Sequence, residues 1–546
     1  MDGFMVVRTA FVQALDPIDG VDGVGGGFLG HRFTDDLGTC ALSSLQPMVD
    51  SMTNFTPFPS TNSADVPAVF LHLERQLSAY TGSQTARVYA ALRDAILGGE
   101  LASGTQLPPT RTLADWLRVA RHAAVGAYES LQGDGLVVAR VGAGSFVAPG
   151  LRQAKPPALA ELPAPSSATA HAIKAFALGV PMLDSVFQQR LAAAVRRHML
   201  SEEIATLGYG DPRGSPRLRQ MIAHELKQSR GVHCSPAQIV IAAGTQQVLR
   251  LCAQALMRAG DVVWMEDPGY PSAQRTLAAQ GLQPRSTAVD HDGIAALDSP
   301  AGLGAAKAIY VTPSHQFPTG SVMSLPRRLG LLAWAHRYDA WILEDDYDSE
   351  FRYHGAPLMA LAGLDRSERV IYIGTFSKSA YPALRLAYAV VPYAALEAVV
   401  AARSTFDRFV PPMLELAMAD MMADGSLARH LRRARGHCKR ARDLLVRVLL
   451  KSSRGLLSVA APDQGLHLLA WLPPGVGTEV AQRIRVASGL ALGLLSETRQ
   501  VHSKGDREAF VIGFAGFSLT DVEQAADVLG RAVVDHLAKG VAATVP

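Results

Sequence analysis

The sequence predicts an α/β domain with a mostly parallel sheet, preceded by a small helical domain that ends in a β-hairpin. Between residues 173 and 546, short apolar runs alternate with helical patterns, as in Ala308-Ile309-Tyr310-Val311 and Trp341-Ile342-Leu343. Such alternation is typical of parallel strands covered by helices. From about residue 425 the chain is rich in Arg and helix formers, and we expect a smaller C-terminal α+β subdomain there.

Composition favours a globular protein of more than one domain. The chain has 546 residues, of which 48% are hydrophobic and 18% charged, so one core cannot hold it. No apolar run approaches the roughly 18 residues of a membrane span, and no secretory signal is recognisable. Four cysteines without CxxC spacing predict reduced thiols in a cytoplasmic protein, with no metal site or disulfide.

Two segments are predicted to lie outside the domains. Residues 1–65 include Gly23-Val24-Gly25-Gly26-Gly27 and a stretch rich in Pro, Ser, Thr and Asn, and we expect them to be disordered. Residues 150–172 are rich in proline and lack an apolar pattern, which predicts a linker. The small domain then covers residues 66–149, and the large domain covers residues 173–546.

Three helical patterns precede the hairpin of the small domain. The first runs from about Gln84 to Leu97 and the second opens at Thr110, a candidate N-cap. The third starts near Arg121 after a tight turn. Residues 135–140 and 145–147 predict two strands around a glycine-rich turn.

These blocks resemble the GntR-type winged helix. The resemblance covers residues 89–147, and its motifs stand at 92–97, 107–114 and 140–147. It implies that the third helix enters the major groove of double-stranded DNA and that the wing reaches the backbone or minor groove. The residues so placed to contact DNA are Arg111, Arg121, His122, Arg140 and Gly142.

Two features of this domain keep an alternative open. The family usually has Ser or Thr around the start of the third helix, whereas this chain has Ala120, Ala123 and Ala124. Residues 66–149 contain seven arginines and six acidic residues, a net charge of +1. This small positive charge gives only weak electrostatic attraction to DNA. A solvated basic face without a DNA role is the alternative interpretation.

In the large domain, the surroundings of Lys378 predict a site for pyridoxal 5'-phosphate. A predicted strand at 370–373 leads into Thr375, Ser377 and Lys378, and Arg385 follows. A lysine forms a Schiff base with the cofactor's aldehyde, while hydroxyls and an arginine hold its phosphate. Asp345, after another predicted strand, is placed to face the pyridinium nitrogen.

Further residues complete this prediction. A strand followed by a helix start at Gly244, Thr245 and Gln246 offers backbone N–H groups to a phosphate. Tyr270 is placed to stack on the pyridine ring and Tyr347 to bond its phenolic oxygen. Each piece alone is weak, because a lysine on a loop is most often solvated and an Asp-Asp pair is common at strand ends.

Together the pieces resemble fold-type-I aminotransferases over nearly all of residues 173–546. By that resemblance, Tyr209 in Gly208-Tyr209-Gly210 corresponds to the tyrosine that reaches the phosphate of the neighbouring subunit. The resemblance thus implies a fold-type-I, pyridoxal-phosphate-dependent transferase-like domain.

The combination of the two domains resembles the MocR/GabR-type transcriptional regulators. Four stretches carry the resemblance: 312–320, 344–353, 374–385 and 464–467. It implies a head-to-tail homodimer that binds a DNA operator and senses a small amine, an amino acid or a vitamer of the cofactor.

Two departures from working aminotransferases bear on catalysis. Phe317 stands where an enzyme usually has the Asn that supports the cofactor's phenolic oxygen. Val511 stands where an enzyme usually has the Arg that holds the substrate carboxylate, and Arg507 is in a poor register to replace it. A regulator with residual activity at most is therefore expected. An aminotransferase with a vestigial helix-turn-helix, or an enzyme that also regulates, is the alternative.

Overall fold

The computed structural model describes residues 67–150, 174–200, 208–295, 303–501 and 507–542, with side chains up to residue 537. The chain divides into two units, Met1–Ala168 and Thr169–Pro546. The extension predicted to be disordered at 1–65 and nearly all of the linker predicted at 150–172 lie outside the described residues. The domain boundaries therefore stay predictions. No helix among the described residues is long and apolar enough to span a membrane.

The described part of the first unit, residues 67–150, contains four α-helices and a hairpin. Its elements are α1 (Ala68–Gln76), α2 (Gln84–Leu97), α3 (Thr110–Trp116), α4 (Arg121–Gly133), β1 (Val137–Arg140) and β2 (Gly144–Val147). The strands pair antiparallel, with Val137 opposite Val147. The predicted helix-turn-helix and wing are thus confirmed.

Apolar spacing along the helices builds the core of this unit. Val88, Leu92 and Ile96 of α2 are fully buried together with Leu113 of α3 and Leu131 of α4, as the helical periodicity predicts. The helix α1 was not predicted.

One prediction about the helix ends was wrong. Thr110 is the first residue of α3 rather than its N-cap; the N-cap is Pro109, and no side chain caps the helix. In contrast, the side chain of Ser83 accepts a hydrogen bond from the Ala86 amide and caps α2. Pro109 has no side-chain acceptor, so it offers no side-chain cap to the free N–H groups of the first turn.

The second unit is built on an eight-stranded sheet in the order β3-β10-β9-β8-β7-β4-β5-β6. The strands are β3 (Ile239–Ala242), β4 (Val262–Asp267), β5 (Gln283–Asp290), β6 (Gly293–Ile294), β7 (Ala308–Val311), β8 (Trp341–Asp346), β9 (Val370–Thr375) and β10 (Ala387–Val390). β10 runs antiparallel to both of its neighbours, and β6 is antiparallel to β5. The other neighbouring pairs are parallel, which confirms the predicted mostly parallel sheet.

Helices cover both faces of this sheet. They are α5 (Ser185–Met199), α6 (Pro216–Ser229), α7 (Thr245–Leu256), α8 (Pro271–Ala278), α9 (Leu325–Tyr338), α10 (Leu361–Leu364), α11 (Phe376–Ser379), α12 (Tyr393–Phe406) and α13 (Pro412–Ala423). Successive strand residues face opposite sides: Ile371 and Ile373 pack in one hydrophobic cluster, whereas Tyr372 packs in another.

A smaller antiparallel sheet forms the C-terminal part, in the order β11-β12-β14-β13. Its elements are α14 (Ser426–Ser452), β11 (Ser458–Val459), β12 (His467–Trp471), α15 (Thr478–Ser488), β13 (Gly493–Leu494), β14 (Ala509–Gly513) and α16 (Leu519–Ala542). Phe176, from the start of the unit, is fully buried in the core of this part. The predicted α+β subdomain is confirmed.

Candidate functional site

A cavity of about 370 Å³ opens at the carboxyl edge of the large sheet, where ligands of parallel α/β sheets commonly bind. The strands β3, β4, β7, β8 and β9 all end at this edge. Ten residues that the sequence predicted for the cofactor line the cavity: Gly244, Thr245, Gln246, Tyr270, Asp345, Tyr347, Thr375, Ser377, Lys378 and Arg385.

Tyr209 is the one predicted cofactor residue that does not line the cavity. Its side chain is exposed, and its ring lies 4.8 Å from the guanidinium carbon of Arg408 and 6.3 Å from the ring of Phe409. The predicted contact with a neighbouring subunit stays a prediction.

Lys378 lies on α11, the single helical turn that follows β9. The Thr375 hydroxyl starts this turn by accepting a hydrogen bond from the Ser377 amide at 3.1 Å. Burial lowers the pKa of Lys378, because desolvation disfavours the ammonium form, while Asp348 and Asp345 act in the opposite direction. The lowered pKa makes this amine a better nucleophile near neutral pH. A β-carbon at Gly179 would lie 3.0 Å from Nζ, so the backbone approaches the amine closely.

Asp345 is the second-last residue of β8 and lines the cavity. One of its carboxylate oxygens has no hydrogen-bond partner among the described residues. Its Oδ2 accepts a hydrogen bond from the Tyr310 hydroxyl at 2.6 Å, whereas its buried Oδ1 has no partner. Burial raises the pKa of Asp345 to about 7. A buried acceptor without a donor costs free energy, and a ring N–H⁺ would satisfy it.

The start of α7 and Arg385 flank another part of the cavity. A β-carbon on Gly244 would lie 3.3 Å from the terminal nitrogens of Arg385, so glycine is what lets the guanidinium approach this backbone. The hydroxyls of Thr375 and Ser377 lie 3.0 Å apart. A cation, two hydroxyls and a helix N-terminus in one cavity suit a phosphate group.

Aromatic side chains line the cavity. The rings of Tyr270 and Phe317 meet edge to face, with centroids 5.8 Å apart. The hydroxyl of Tyr347 lies 3.1 Å from Nδ1 of His315. His467 also lines the cavity; burial, and then the nearby His315, lower its pKa to about 4, so its imidazole is neutral near pH 7.

Sequence reasoning missed part of the lining. Tyr310 and Thr312 stand at the end of β7, and their position after a predicted apolar strand is the signal that could have found them. Leu178 and Gly179 come from the start of the unit and carry no local signal. Leu466 lies in the stretch 464–467, which carries a family resemblance but no chemical signal at this position.

The two departures from aminotransferases are visible in the structure. Val511 is fully buried in a small apolar cluster, and Arg507 lies over the ring of Trp471 at 5.2 Å while its Nε donates to the Leu472 carbonyl. Among the residues that line the cavity, Arg385 supplies the only guanidinium. The described part of the chain therefore offers no second arginine to a substrate carboxylate in this cavity.

All five residues predicted to contact DNA are exposed on the first unit: Arg111, Arg121, His122, Arg140 and Gly142. Arg121 and His122 begin α4. Ala123 and Ala124 are fully buried, so only Ala120 of the three unusual alanines faces solvent. The guanidinium of Arg140 lies 4.9 Å from the ring of Phe146 on the facing strand of the wing.

Two family models match the chain. Residues 84–147 match the model described as bacterial regulatory proteins of the gntR family, and residues 179–529 match aminotransferase class I and II. The chain is 34% identical over 445 residues to the probable rhizopine catabolism regulatory protein MocR of Rhizobium meliloti, covering 79% of this chain and 90% of that protein. The chain belongs to the MocR-type transcriptional regulators.

Other matches agree with this membership. The chain is 32% identical to the pyridoxine biosynthesis transcriptional regulator PdxR of Corynebacterium glutamicum, over 63% of this chain and 74% of that protein. The crystal structure of LysN, an α-aminoadipate aminotransferase of Thermus thermophilus, matches 68% of this chain and 94% of its own with a TM-score of 0.61 and 25% identity. This MocR-type regulator is thus a DNA-binding transcription factor whose second unit has the fold of pyridoxal-phosphate-dependent aminotransferases.

Proposed function

We propose that this MocR-type regulator binds pyridoxal 5'-phosphate in the cavity around Lys378 and senses a small amine, an amino acid or a vitamer there. One observation carries the proposal. A single cavity holds the buried amine of Lys378, the unpartnered oxygen of Asp345 and the pairing of Arg385 with the start of α7. These groups are complementary to an aldehyde, a ring nitrogen and a phosphate.

Each of these residues would contact a different part of the cofactor. When bound, the cofactor supplies an aldehyde that condenses with amines and a ring that withdraws electrons. Lys378 holds the aldehyde carbon, and Oδ1 of Asp345 accepts the ring N–H. Arg385, Thr375 and Ser377 hold the phosphate together with the backbone of residues 244–246. Tyr270 covers the ring.

The same cavity favours sensing over turnover of common amino acids. An arginine that binds a substrate carboxylate contributes a charge-assisted contact of about 1.5–3 kcal/mol, and Val511 cannot make it. An amine or vitamer that exchanges with Lys378 would instead change which groups the lysine contacts. The similarity to PdxR, a pyridoxine biosynthesis transcriptional regulator, supports a vitamer as an effector class.

On the DNA side, we propose that α4 enters the major groove. Arg121 and His122 would meet base edges, Arg111 a phosphate or a guanine edge, and the wing at Arg140 and Gly142 the backbone or minor groove. A homodimer would present two such units to an operator. Because a transcription factor acts on chromosomal DNA, we also propose a cytoplasmic location.

The test of the cofactor proposal is to trap the bond at Lys378. Protein incubated with the cofactor should gain a visible absorption band, and borohydride followed by peptide mass mapping should place the adduct on Lys378. Lys378→Ala should lose the band and the adduct. Lys451→Ala, which removes an exposed lysine of α14, is the matched control. An equally trappable adduct in Lys378→Ala would contradict the assignment.

A further inference from the structure

A buried pair, His315 and Asp348, lies behind Tyr347. Nδ1 of His315 is 2.9 Å and 3.1 Å from the two carboxylate oxygens of Asp348, and the Tyr347 hydroxyl is 3.1 Å from the same nitrogen. Both side chains of the pair are only 2% exposed. Neither of them lines the cavity, whereas Tyr347 does.

The pair fixes the direction of the hydrogen bond to Tyr347. A carboxylate oxygen only accepts, so the proton of the contact with Asp348 is carried by Nδ1 of His315. A nitrogen that carries a proton cannot accept one from Tyr347. The tyrosine oxygen therefore shares the one Nδ1–H with the carboxylate as a second acceptor, and its own proton is left free for a partner in the cavity.

Two glycines make room for this imidazole. A β-carbon on Gly465 would lie 1.9 Å from Cε1 of His315, and Gly465 has a φ of +88°. A β-carbon on Gly320 would lie 3.3 Å from Nε2 of His315. Both glycines belong to stretches that carry the family resemblance, 312–320 and 464–467, and neither lines the cavity.

We propose that Asp348 and His315 are positioning residues that hold Tyr347 as a hydrogen-bond donor toward the cofactor's phenolic oxygen. Phe317 offers no amide at the place where an aminotransferase uses one, so Tyr347 carries this contact. The inference rests on the proposed function. A donor to the phenolic oxygen stabilises its anion and weakens its hold on the proton shared with the lysine nitrogen. The bond to Tyr347 therefore lowers the pH at which the lysine–cofactor adduct loses that proton.

Other charged groups around the site act differently. The negative charges of Asp348 and Asp345 act to raise the pKa of Lys378 and so favour its protonated form. Glu266 and Asp346 act on Tyr347 together with these two carboxylates. The neutral ring of His467 lies 5.1 Å from that of His315. Loss of the charge of Asp348 alone would make the adduct lose its proton at lower pH, whereas release of Tyr347 from its donor role would raise that pH.

The sign of the shift is the test. The visible absorbance of the full-length, cofactor-loaded protein is titrated with pH in the wild type, Tyr347→Phe, Asp348→Asn and the double variant. We expect Tyr347→Phe to raise the midpoint by about one pH unit, the equivalent of one neutral hydrogen bond. Asp348→Asn should raise it by less, because the loss of the Asp348 charge acts in the opposite direction. The double variant should show no upward shift beyond that of Tyr347→Phe, because the hydrogen bond through which Asp348 acts is already lost. A lower or unchanged midpoint in Asp348→Asn, or additive shifts, would overturn the proposal.

Substitutions of His315 give an independent readout should Asp348→Asn fold poorly. His315→Asn keeps a donor at the position of Nδ1 and should titrate like the wild type, whereas His315→Gln should resemble Tyr347→Phe. The reverse order would refute the proposal. Asp184→Asn is the matched control, because Asp184 and His430 form a buried pair at 3.1 Å that does not line the cavity.

The outcomes separate this inference from the proposed function. A wild-type protein that forms no lysine adduct with pyridoxal phosphate would overturn both. A wild type with a normal titration and Asp348→Asn without the upward shift would overturn only the role of the pair.

Discussion

At the scale of single residues, burial decides the chemistry of this cavity. Asp345 and Glu266 are both buried carboxyls, each with one oxygen that lacks a partner, and burial raises the pKa of each to about 7. Sequence position predicted a role for Asp345. It gave no sign of Glu266, whose other oxygen accepts from the Thr312 hydroxyl at 2.6 Å. A site with several carboxyls of raised pKa has a stability that depends on pH.

Glu266 should make the cofactor-free protein less stable as pH rises from about 4.5 to about 7. In this window the folded state keeps the proton that the unfolded chain has lost, so the free energy of unfolding falls by up to ~1.4 kcal/mol per pH unit. Glu266→Gln should remove this component, which amounts to roughly 3 kcal/mol over the window. Urea unfolding at pH 5 and pH 8 measures the difference.

Glu397→Gln, which removes an exposed carboxylate from α12, is the control for this measurement. It should leave the wild-type pH dependence in place. Equal pH dependence in Glu266→Gln and the wild type would show that Glu266 is ionised in the folded protein across this range.

At the scale of elements, α4 combines a buried face with an exposed start. Ala123, Ala124, Ala127 and Leu131 pack into the core, whereas Arg121 and His122 face solvent. The periodicity of the sequence predicted the helix and its start. The sequence did not predict that two of the three unusual alanines belong to the core. Alanine is small and occurs on either face of a helix, so it gave no sign of which face these residues occupy.

Replacing arginines of the helix-turn-helix should weaken DNA binding. Arg121→Ala should cost about 1–3 kcal/mol and relax sequence preference if the residue reads a base. If Arg111 contacts a phosphate, Arg111→Ala would weaken binding to all DNA sites alike. It would also reduce the slope of log affinity against log salt concentration by about one. Affinity for operator DNA, selected by sequencing bound fragments, is measured across salt concentrations.

Arg75→Ala serves as the comparison, since Arg75 is exposed at the end of α1, outside the helix-turn-helix. Unchanged binding in the Arg111→Ala, Arg121→Ala double variant would remove both residues from the interface.

At the scale of the whole molecule, the chain joins a DNA-binding unit to a unit with an aminotransferase fold. A ligand in the cavity changes DNA affinity only if it binds one arrangement of the protein better than another. The described residues that line the cavity include no second arginine for a substrate carboxylate, and we therefore propose a ligand that is bound rather than consumed.

We therefore expect a ligand to shift operator affinity without sustained turnover. A coupling free energy of roughly 1–3 kcal/mol corresponds to a change of about 5–150-fold. The measurement is operator affinity across a panel of amines, amino acids and vitamers, alongside keto-acid release. Lys378→Ala should abolish the response of DNA affinity to ligands. Multiple-turnover transamination with no effect of any ligand on DNA binding would indicate an enzyme instead.

The sequence by itself predicted the winged helix, the alternation of strands and helices in the large domain, and ten of the residues that line the cavity. These follow from local patterns: apolar periodicity gives helices and strands, and the carboxyl ends of parallel strands gather at one edge. Only the tertiary structure decided which groups meet across the fold. Tyr310 pairs with Asp345, Leu178 and Gly179 close the cavity from the start of the unit, and Gly465 makes room for His315 beside Asp348. Such contacts join residues distant in the chain, and their geometry depends on how strands and loops pack, which no local pattern records.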